Sequence, residues 1–212
     1  VFMTDVLKIA PKRVGYMFIV TRLWDVINDP LWGAVVAKRK PGKDGKFRQY
    51  LRLVAVPLGI STVICFLPYS DENSIFYNAT LAGNETLLFA VCIITYLIYC
   101  TMYTAMNIPF GSLASVITDD PNGRNLLSTF RSIGAALPAV VIMIVLPGIV
   151  YDENDKIIGE KLLPVAVIMS IFSFLALWGT TKLVKERVDH SSSENAVGFK
   201  AMISSAKSFF TN

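Results

Sequence analysis

The sequence has 212 residues, of which 53% are hydrophobic and only 17% are charged. Soluble proteins carry about 25% charged residues, so this composition indicates a membrane protein and argues against a large soluble helical core. The net charge of +4 follows from basic loops between apolar blocks, and we therefore expect no nucleic-acid partner.

Five apolar blocks run along the chain, and each approaches the roughly 20 residues that a helix needs to cross a bilayer. Before them, Val1 to Ala10 lack the basic start of a signal peptide, and we expect them to end an earlier membrane helix. The sequence thus predicts an all-α, multi-pass protein of the inner or plasma membrane. The blocks span Val14 to Val36, Leu51 to Tyr69, Leu87 to Ile117, Leu126 to Val150 and Leu162 to Leu183.

Basic residues predict the orientation, because positively charged loops tend to stay in the cytoplasm. The loop between the first two blocks has six basic residues and one acid, so it is predicted to lie inside. Alternation then places Asp71 and Glu72 outside and Lys182 inside. Lys12 and Arg13 fall outside and break the rule.

The first block contains an acidic pair, Asp25 and Asp29, whose carboxylates project from one helical face because they stand one turn apart. A charge at the bilayer centre costs at least about 2.5 kcal/mol, so such groups face a cavity or a partner. Two acids on one face need a cation. A transported ion could supply it transiently, and oxygen ligands suit Na⁺; alternatively, Arg22 and Arg131 could supply it permanently.

Polar residues also interrupt the later blocks. Thr104 and Asn107 stand one turn apart and are predicted to share one polar surface, close to Pro109, which is tolerated where a membrane helix lines a cavity or meets another helix. In the fourth block, Arg131 is followed by small residues that permit close helix contact. These are Gly134, Ala135, Ala136 and Ala139.

Neither cysteine nor histidine suggests a cofactor site. Cys65, Cys92 and Cys100 lie inside the blocks without CxxC spacing, and we interpret them as small packing residues. His190 stands alone in a Ser-rich stretch. We expect no cofactor and no enzymatic activity.

Four segments carry a resemblance to a known family. The run Thr21 to Gly33 reads TRLWDVINDPLWG, and it is followed by Gly45 to Arg48 (GKFR), Tyr103 to Phe110 (YTAMNIPF) and Thr118-Asp119. In this order and spacing they resemble the glycoside-pentoside-hexuronide:cation symporter family of the major facilitator superfamily, which includes melibiose permease. The resemblance covers essentially the whole chain.

The resemblance implies a protein of twelve helices in two six-helix halves. Residues 1–188 would form the N-terminal half, from the end of helix one through helix six of a facilitator-type bundle. Residues 189–212 would form a cytoplasmic linker to the C-terminal half. We expect this chain to be an incomplete fragment that does not transport by itself.

The resemblance also implies roles for individual residues. The cation-binding positions are Asp25, Asn28, Asp29 and Thr104, and the substrate-binding positions are Asp25, Asn107 and Arg131. Melibiose permease has an aspartate where this chain has Asn107 and a tryptophan where it has Gly111. Lys46 and Arg48 lie in the inner loop that holds the cytoplasmic gate in this superfamily, although their charges also fit a topology signal.

The function implied is symport of a sugar or glycoside with Na⁺ or H⁺, by alternating access, in contact with membrane lipids. Two alternatives stay open. One is a symporter of the same architecture for another amphipathic solute, such as a lysolipid. The other is a non-transporting receptor or scaffold whose acids are paired with Arg22 and Arg131.

Overall fold

The computed structural model of the chain describes residues 2–38, 42, 45–72, 74–152 and 157–186. The described residues form helices and no β-strand, which confirms the all-α prediction. The proposed linker at 189–212, with His190, lies outside the described residues. A π-helical turn at Phe2–Val6 precedes α1 (Pro11–Lys38), α2 (Phe47–Cys65), the single turn α3 (Ala79–Ala82), α4 (Glu85–Ile117), α5 (Pro121–Val150) and α6 (Gly159–Leu183).

The five long helices coincide with the five predicted blocks. Three of them, α4, α5 and α6, are long and apolar enough to cross a membrane by length and composition. The first two blocks also form helices, of 28 and 19 residues. These two helices are long enough to cross a membrane but are not apolar enough by the same measure. In α1 the reason is visible in the sequence, since Arg22, Asp25 and Asp29 fall near the middle of the helix.

Side-chain caps explain why two helices begin before their apolar blocks. The side-chain oxygen of Asn84 accepts hydrogen bonds from the backbone N–H groups of Thr86 and Leu87, both at 3.1 Å, so α4 starts at Glu85. Asp120 caps α5 in the same way, with Pro121 in the first turn. Both caps satisfy backbone donors that have no partner inside the helix.

Helix α2 packs between α4 and α6, and α1 packs against α4. The core at these contacts consists of buried aliphatic side chains, among them Leu51 and Leu58 of α2, Leu113 of α4 and Leu177 of α6. A second cluster joins the N-terminal segment to the start of α4 and includes Leu7, Ile9, Leu88 and Cys92. The arrangement leaves one face of α1 and one face of α4 opposite each other.

Helix α5 is the most exposed element of the described chain. Every residue from Ser128 to Val145 is exposed, and a Cβ at Gly134 would have no atom of another described helix within 4 Å. Gly134, Ala135, Ala136 and Ala139, which permit close helix contact, make none among the described residues, because α5 meets α4 and α6 only sparsely.

Candidate functional site

A polar cavity of about 470 Å³ lies between α1 and α4. Its lining residues recur every three or four positions along each helix, so one stripe of α1 faces one stripe of α4. Thr104 and Asn107 are both part of this surface. The stripe of α1 contains Phe18, Thr21, Arg22, Asp25 and Asp29, and that of α4 contains Tyr96, Tyr99, Cys100, Tyr103, Thr104 and Asn107.

Asp29 connects the two helices across this cavity. The hydroxyl of Thr104, which is buried, donates a hydrogen bond of 2.9 Å to the Asp29 carboxylate. Hydrogen bonds to an ionised acceptor are about twice as strong as neutral ones. Among the described residues Asp29 forms no ion pair, so its charge faces the cavity without a fixed counter-charge.

Asp25 has a different environment. Its carboxylate lies 3.6 Å from the guanidinium of Arg22, whose side chain is 84% exposed. An ion pair of this kind contributes little, about 0–1 kcal/mol. Arg131 pairs with neither acid among the described residues. The permanent counter-charge considered for both acids is therefore present at Asp25 alone.

Asn28 lies between the two acids in sequence but does not line the cavity. Its side chain is only 3% exposed, and its amide nitrogen has no hydrogen-bond partner among the described residues. An unpaired buried polar group costs about 1–3 kcal/mol. The unpaired nitrogen is a donor, so only a ligand with an acceptor atom would recover that cost, whereas a cation requires the amide oxygen.

Arg131 of α5 does not line the cavity itself but contacts a residue that does. It donates a hydrogen bond of 3.1 Å to the side-chain oxygen of Asn107, and its guanidinium carbon lies 5.2 Å from the centre of the Phe110 ring. A Cβ at Gly111 would stand 3.2 Å from the guanidinium, so the absence of a side chain there allows this approach. The two predicted substrate-binding residues of α4 and α5 are thus in direct contact.

Lys46 and Arg48, the predicted gating residues, lie at the start of α2 and away from the cavity. The ammonium of Lys46 donates to the carbonyl of Ala37 at 2.8 Å, and Arg48 donates to the carbonyl of Thr181 at 2.8 Å. Each residue therefore ties the start of α2 to the C-terminal end of a neighbouring helix.

Glu186 completes this junction and was not recognised from the sequence. Its carboxylate accepts hydrogen bonds from the backbone N–H groups of Lys46, Phe47 and Arg48 at 2.8, 2.9 and 2.9 Å. Gly45 has φ +96, and a Cβ at this position would come within 2.4 Å of the carboxyl group. A separation of 138 to 140 residues along the chain gives sequence patterns no means of joining these positions.

The aromatic wall of the cavity was also missed. Tyr96, Tyr99 and Tyr103 follow one another on α4 with ring centres 5.9 and 6.2 Å apart.

Cys100 lines the cavity too, so its interpretation as a packing residue was incomplete, whereas Cys92 is buried in a hydrophobic cluster. In the sequence, Cys100 stands four residues before Thr104, and this spacing could have placed it on the same helix face. The described residues contain no cluster of three or more His, Cys, Asp or Glu side chains suited to a metal ion.

These features define a multi-pass helical membrane protein with a polar cavity between its helices, which is the architecture of a transporter. Over residues 1–211 the chain matches the family described as MFS/sugar transport protein. The chain belongs to this family, which confirms the resemblance drawn from its motifs. It is accordingly a transporter-family protein of the cell membrane and not an enzyme.

Three curated relatives illustrate the similarity. An inner membrane symporter of Escherichia coli (strain K12) is 32% identical over 89% of this chain and 38% of its own length. An uncharacterized symporter of Bacillus subtilis (strain 168) is 32% identical over 100% of this chain and 43% of its own. The isoprimeverose transporter of Lactiplantibacillus pentosus is 28% identical over 97% and 41%, respectively. The chain thus spans about two fifths of the length of these relatives.

Proposed function

We propose that the protein, in its full length, is a symporter that couples entry of a sugar or glycoside to entry of Na⁺ or H⁺. The observation that carries the proposal is the cavity in which the acids of α1 face Thr104 and Asn107 of α4. Charged groups inside a membrane protein mark ion and substrate pathways, because their cost must be offset by a functional partner.

The cation is proposed to bind at Asp25, Asn28, Asp29 and Thr104. Asp29 has the best environment for it, since its charge is held in place by Thr104 at 2.9 Å and is not neutralised by an arginine among the described residues. Carboxylate, hydroxyl and amide oxygens are ligands that a hard cation prefers. A proton carried by the same carboxylates is the other form of the proposal.

The sugar is proposed to bind at Asn107 and Arg131, with Asp25 contributing from α1. The Asn107 amide both donates and accepts hydrogen bonds, as a ligand rich in hydroxyl groups requires. Because Asp25 and Asp29 stand one turn apart, cation and sugar would occupy neighbouring parts of one cavity. Each ligand then changes the affinity for the other.

Transport is proposed to proceed by alternating access, with a C-terminal half of the same protein forming the opposite wall. Coupling requires that cation and sugar together favour a transition that neither favours alone. Lys46 and Arg48 are the proposed gating residues, at the cytoplasmic ends of the helices that line or support the cavity. The relatives named as symporters support the symport, and the one named as an isoprimeverose transporter supports the sugar substrate.

Counterflow in proteoliposomes that contain the full-length protein tests the proposal. We expect exchange of a labelled sugar from a panel of glycosides, and net uptake when a Na⁺ or H⁺ gradient is imposed. Exchange of lysolipids without exchange of any sugar would favour the other solute class. Absence of all exchange, in protein that is folded and inserted, would favour a receptor or scaffold.

A further inference from the structure

The ends of α2 and α6 that the charge pattern assigns to the cytoplasm form a basic edge. Residues 45–52 and 178–186 contain five basic side chains and one acid, Glu186. The Glu186 carboxylate is bound by three backbone N–H groups at the start of α2. The edge thus keeps a net positive charge, which attracts anions over about a Debye length. Its basic residues are Lys46, Arg48, Arg52, Lys182 and Lys185.

Two contacts fix the alignment of α2 with α6 at this edge. The Arg48 guanidinium donates to the carbonyl of Thr181 at 2.8 Å, and a Cβ at Gly59 would stand 2.7 Å from the hydroxyl of Ser170. The second contact lies further along α2 by the same number of residues as it lies earlier along α6, so the two helices run antiparallel in one register. Arg52 is exposed and follows Arg48 by one turn, and it is therefore level with the turn of α6 that precedes Thr181.

Trp178, on that turn of α6, belongs to the face that points away from the bundle. The ammonium of Lys182 lies 4.7 Å from the centre of the Trp178 ring, and both residues are exposed, whereas Leu177 is buried in the core. Exposed apolar residues continue this face at intervals of three or four positions, which is the spacing of one helical face. Two cations, one from each helix, thus flank an exposed tryptophan that ends an apolar stripe. The stripe consists of Ile168, Phe172 and Leu175.

The depth of these residues matches the boundary between hydrocarbon and headgroups. The 25 residues of α6 span about 37 Å at 1.5 Å per residue, which exceeds the hydrocarbon thickness of about 30 Å. Each end of a centred helix therefore extends about 4 Å into the headgroup region. Lys182 lies within this region, and Trp178, about 6 Å deeper, lies near the boundary, where tryptophan is enriched in membrane proteins.

We propose that Arg52, Trp178 and Lys182 form a binding site for the headgroup of an anionic phospholipid of the cytoplasmic leaflet, such as phosphatidylglycerol. The guanidinium and the ammonium bind the phosphate oxygens, since both groups are strong phosphate partners. Trp178 packs against the glycerol and the upper part of an acyl chain, which continues along the apolar stripe. A free phosphate ion matches only the two cations, so the tryptophan and the stripe favour the lipid. The site is separate from the polar cavity and does not depend on the proposed symport.

Lipid binding to the full-length protein in a neutral detergent tests the proposal. Dioctanoyl phosphatidylglycerol is compared with dioctanoyl phosphatidylcholine, and bound lipid is counted by native mass spectrometry. We expect the anionic lipid to bind at least tenfold more tightly. Glycerol 1-phosphate, which has a phosphate but no acyl chains, should not displace it at a tenfold higher concentration. Equal affinity for the two lipids overturns the proposal, and displacement by glycerol 1-phosphate also overturns it by assigning the edge to a soluble phosphate.

Variants locate the site. Arg52→Gln together with Lys182→Gln should lower affinity for phosphatidylglycerol at least tenfold and change affinity for phosphatidylcholine less than threefold. Arg124→Gln together with Lys161→Gln is the matched control, because it removes one arginine and one lysine charge from α5 and from the opposite end of α6. Trp178→Ala, which changes no charge, should lower affinity for phosphatidylglycerol at least threefold. Equal losses in the two double variants, or unchanged affinity in the first, overturn the proposal.

A measurement on the unmodified protein does not depend on the folding of any variant. Phosphatidylglycerol with a photoactivatable diazirine near its headgroup is crosslinked to the full-length protein in bilayers, and the adducts are mapped by mass spectrometry. The adducts should concentrate on the peptides that contain Arg52 and Trp178, and excess unlabelled phosphatidylglycerol, but not phosphatidylcholine, should suppress them. Adducts on other peptides alone, or equal suppression by both lipids, would contradict a site at this edge.

Discussion

The hydroxyl of Thr104 lies 2.9 Å from the carboxylate of Asp29 and joins α4 to α1 at the polar cavity. Thr104 is buried, while the carboxylate that it holds belongs to the exposed lining. A buried donor that fixes the direction of an otherwise unneutralised acid is the arrangement expected at an ion site, since it orients a ligand oxygen without cancelling its charge.

Thr104→Val should weaken cation binding, because it replaces the hydroxyl by a methyl group of similar size. Loss of a hydrogen bond to a charged group costs about 1.5–3 kcal/mol, so the cation concentration that half-maximally stimulates uptake should rise tenfold or more. Thr104→Ser retains the hydroxyl and should stay within threefold of the parent. Equal behaviour of the two variants would argue that the hydrogen bond serves packing alone.

Replacement of Asp29 should separate sugar binding from coupling. In Asp29→Cys we expect cation-stimulated uptake to fall at least tenfold, while cation-independent sugar exchange persists through Asn107 and Arg131. Initial rates with and without the gradient, and exchange at equal concentrations on both sides, measure the two effects.

Arg22→Gln together with Asp25→Asn removes the one ion pair at the cavity among the described residues. If that double variant folds and remains coupled, Asp25 is a structural counter-charge and the ion site centres on Asp29.

The residues that the sequence could identify are those linked by local spacing or by motif. Asp25 and Asp29 are one turn apart, and so are Thr104 and Asn107, so period and polarity placed each pair on one surface. Contact between the two pairs required the motif resemblance, because nothing in the spacing of α1 specifies which stripe of α4 it faces.

Other contacts depend on tertiary packing and left no such signal. Arg13, which broke the charge rule for orientation, lies 3.6 Å from Glu85 and 5.9 Å from the centre of the Phe89 ring. These contacts join the start of α1 to the start of α4, and no local spacing in the sequence indicates them. The exposed middle of α5 likewise shows that a stripe of small residues permits helix contact without producing it.

Cys100 provides a chemical test of the cavity. Its side chain lines the cavity one turn before Thr104, whereas Cys92 is buried among apolar side chains. A small water-soluble maleimide should therefore modify Cys100 and leave Cys92 unmodified, and saturating sugar with cation should slow the reaction about tenfold. The matched control is Cys100→Ser, which should abolish the protectable labelling. Protection that persists in this variant would place the occluded thiol elsewhere.

The charge pattern predicts which ends of the helices face the cytoplasm, and two exposed positions can check it. Ile75, in the loop before α3, is 92% exposed, and Lys182 lies at the opposite end of the bundle, 4.7 Å from the Trp178 ring. In a background without native cysteines, Ile75→Cys should react with an impermeant reagent from outside and Lys182→Cys only after permeabilisation. The reverse pattern would invert the assigned orientation.

The junction at Glu186 allows a prediction about stability. Its carboxylate receives three backbone N–H groups at the start of α2, where the helix dipole favours a negative charge. Glu186→Ala leaves these donors without their partner, so we expect a loss of about 1–3 kcal/mol in the free energy of unfolding. Thermal unfolding in detergent measures it. Glu160→Ala, at the other end of α6 and exposed, is the control and should change stability by less than about 0.5 kcal/mol.

Gly45 makes that prediction more specific. Gly45→Ala should be destabilising for two reasons, because its φ is +96 and because the new Cβ would meet the Glu186 carboxyl group at 2.4 Å. Only the second reason disappears when Glu186 is also replaced by alanine, so the glycine substitution should cost less in that background, with a coupling energy of about 0.5–3 kcal/mol.

Tryptic cleavage between α1 and α2 should rise in Glu186→Ala, since the carboxylate no longer holds the start of α2 against the end of α6. Strictly additive stabilities together with unchanged cleavage would contradict this role of Glu186. They would mean that Lys46 and Arg48, the proposed gating residues, are fixed by their own contacts with Ala37 and Thr181.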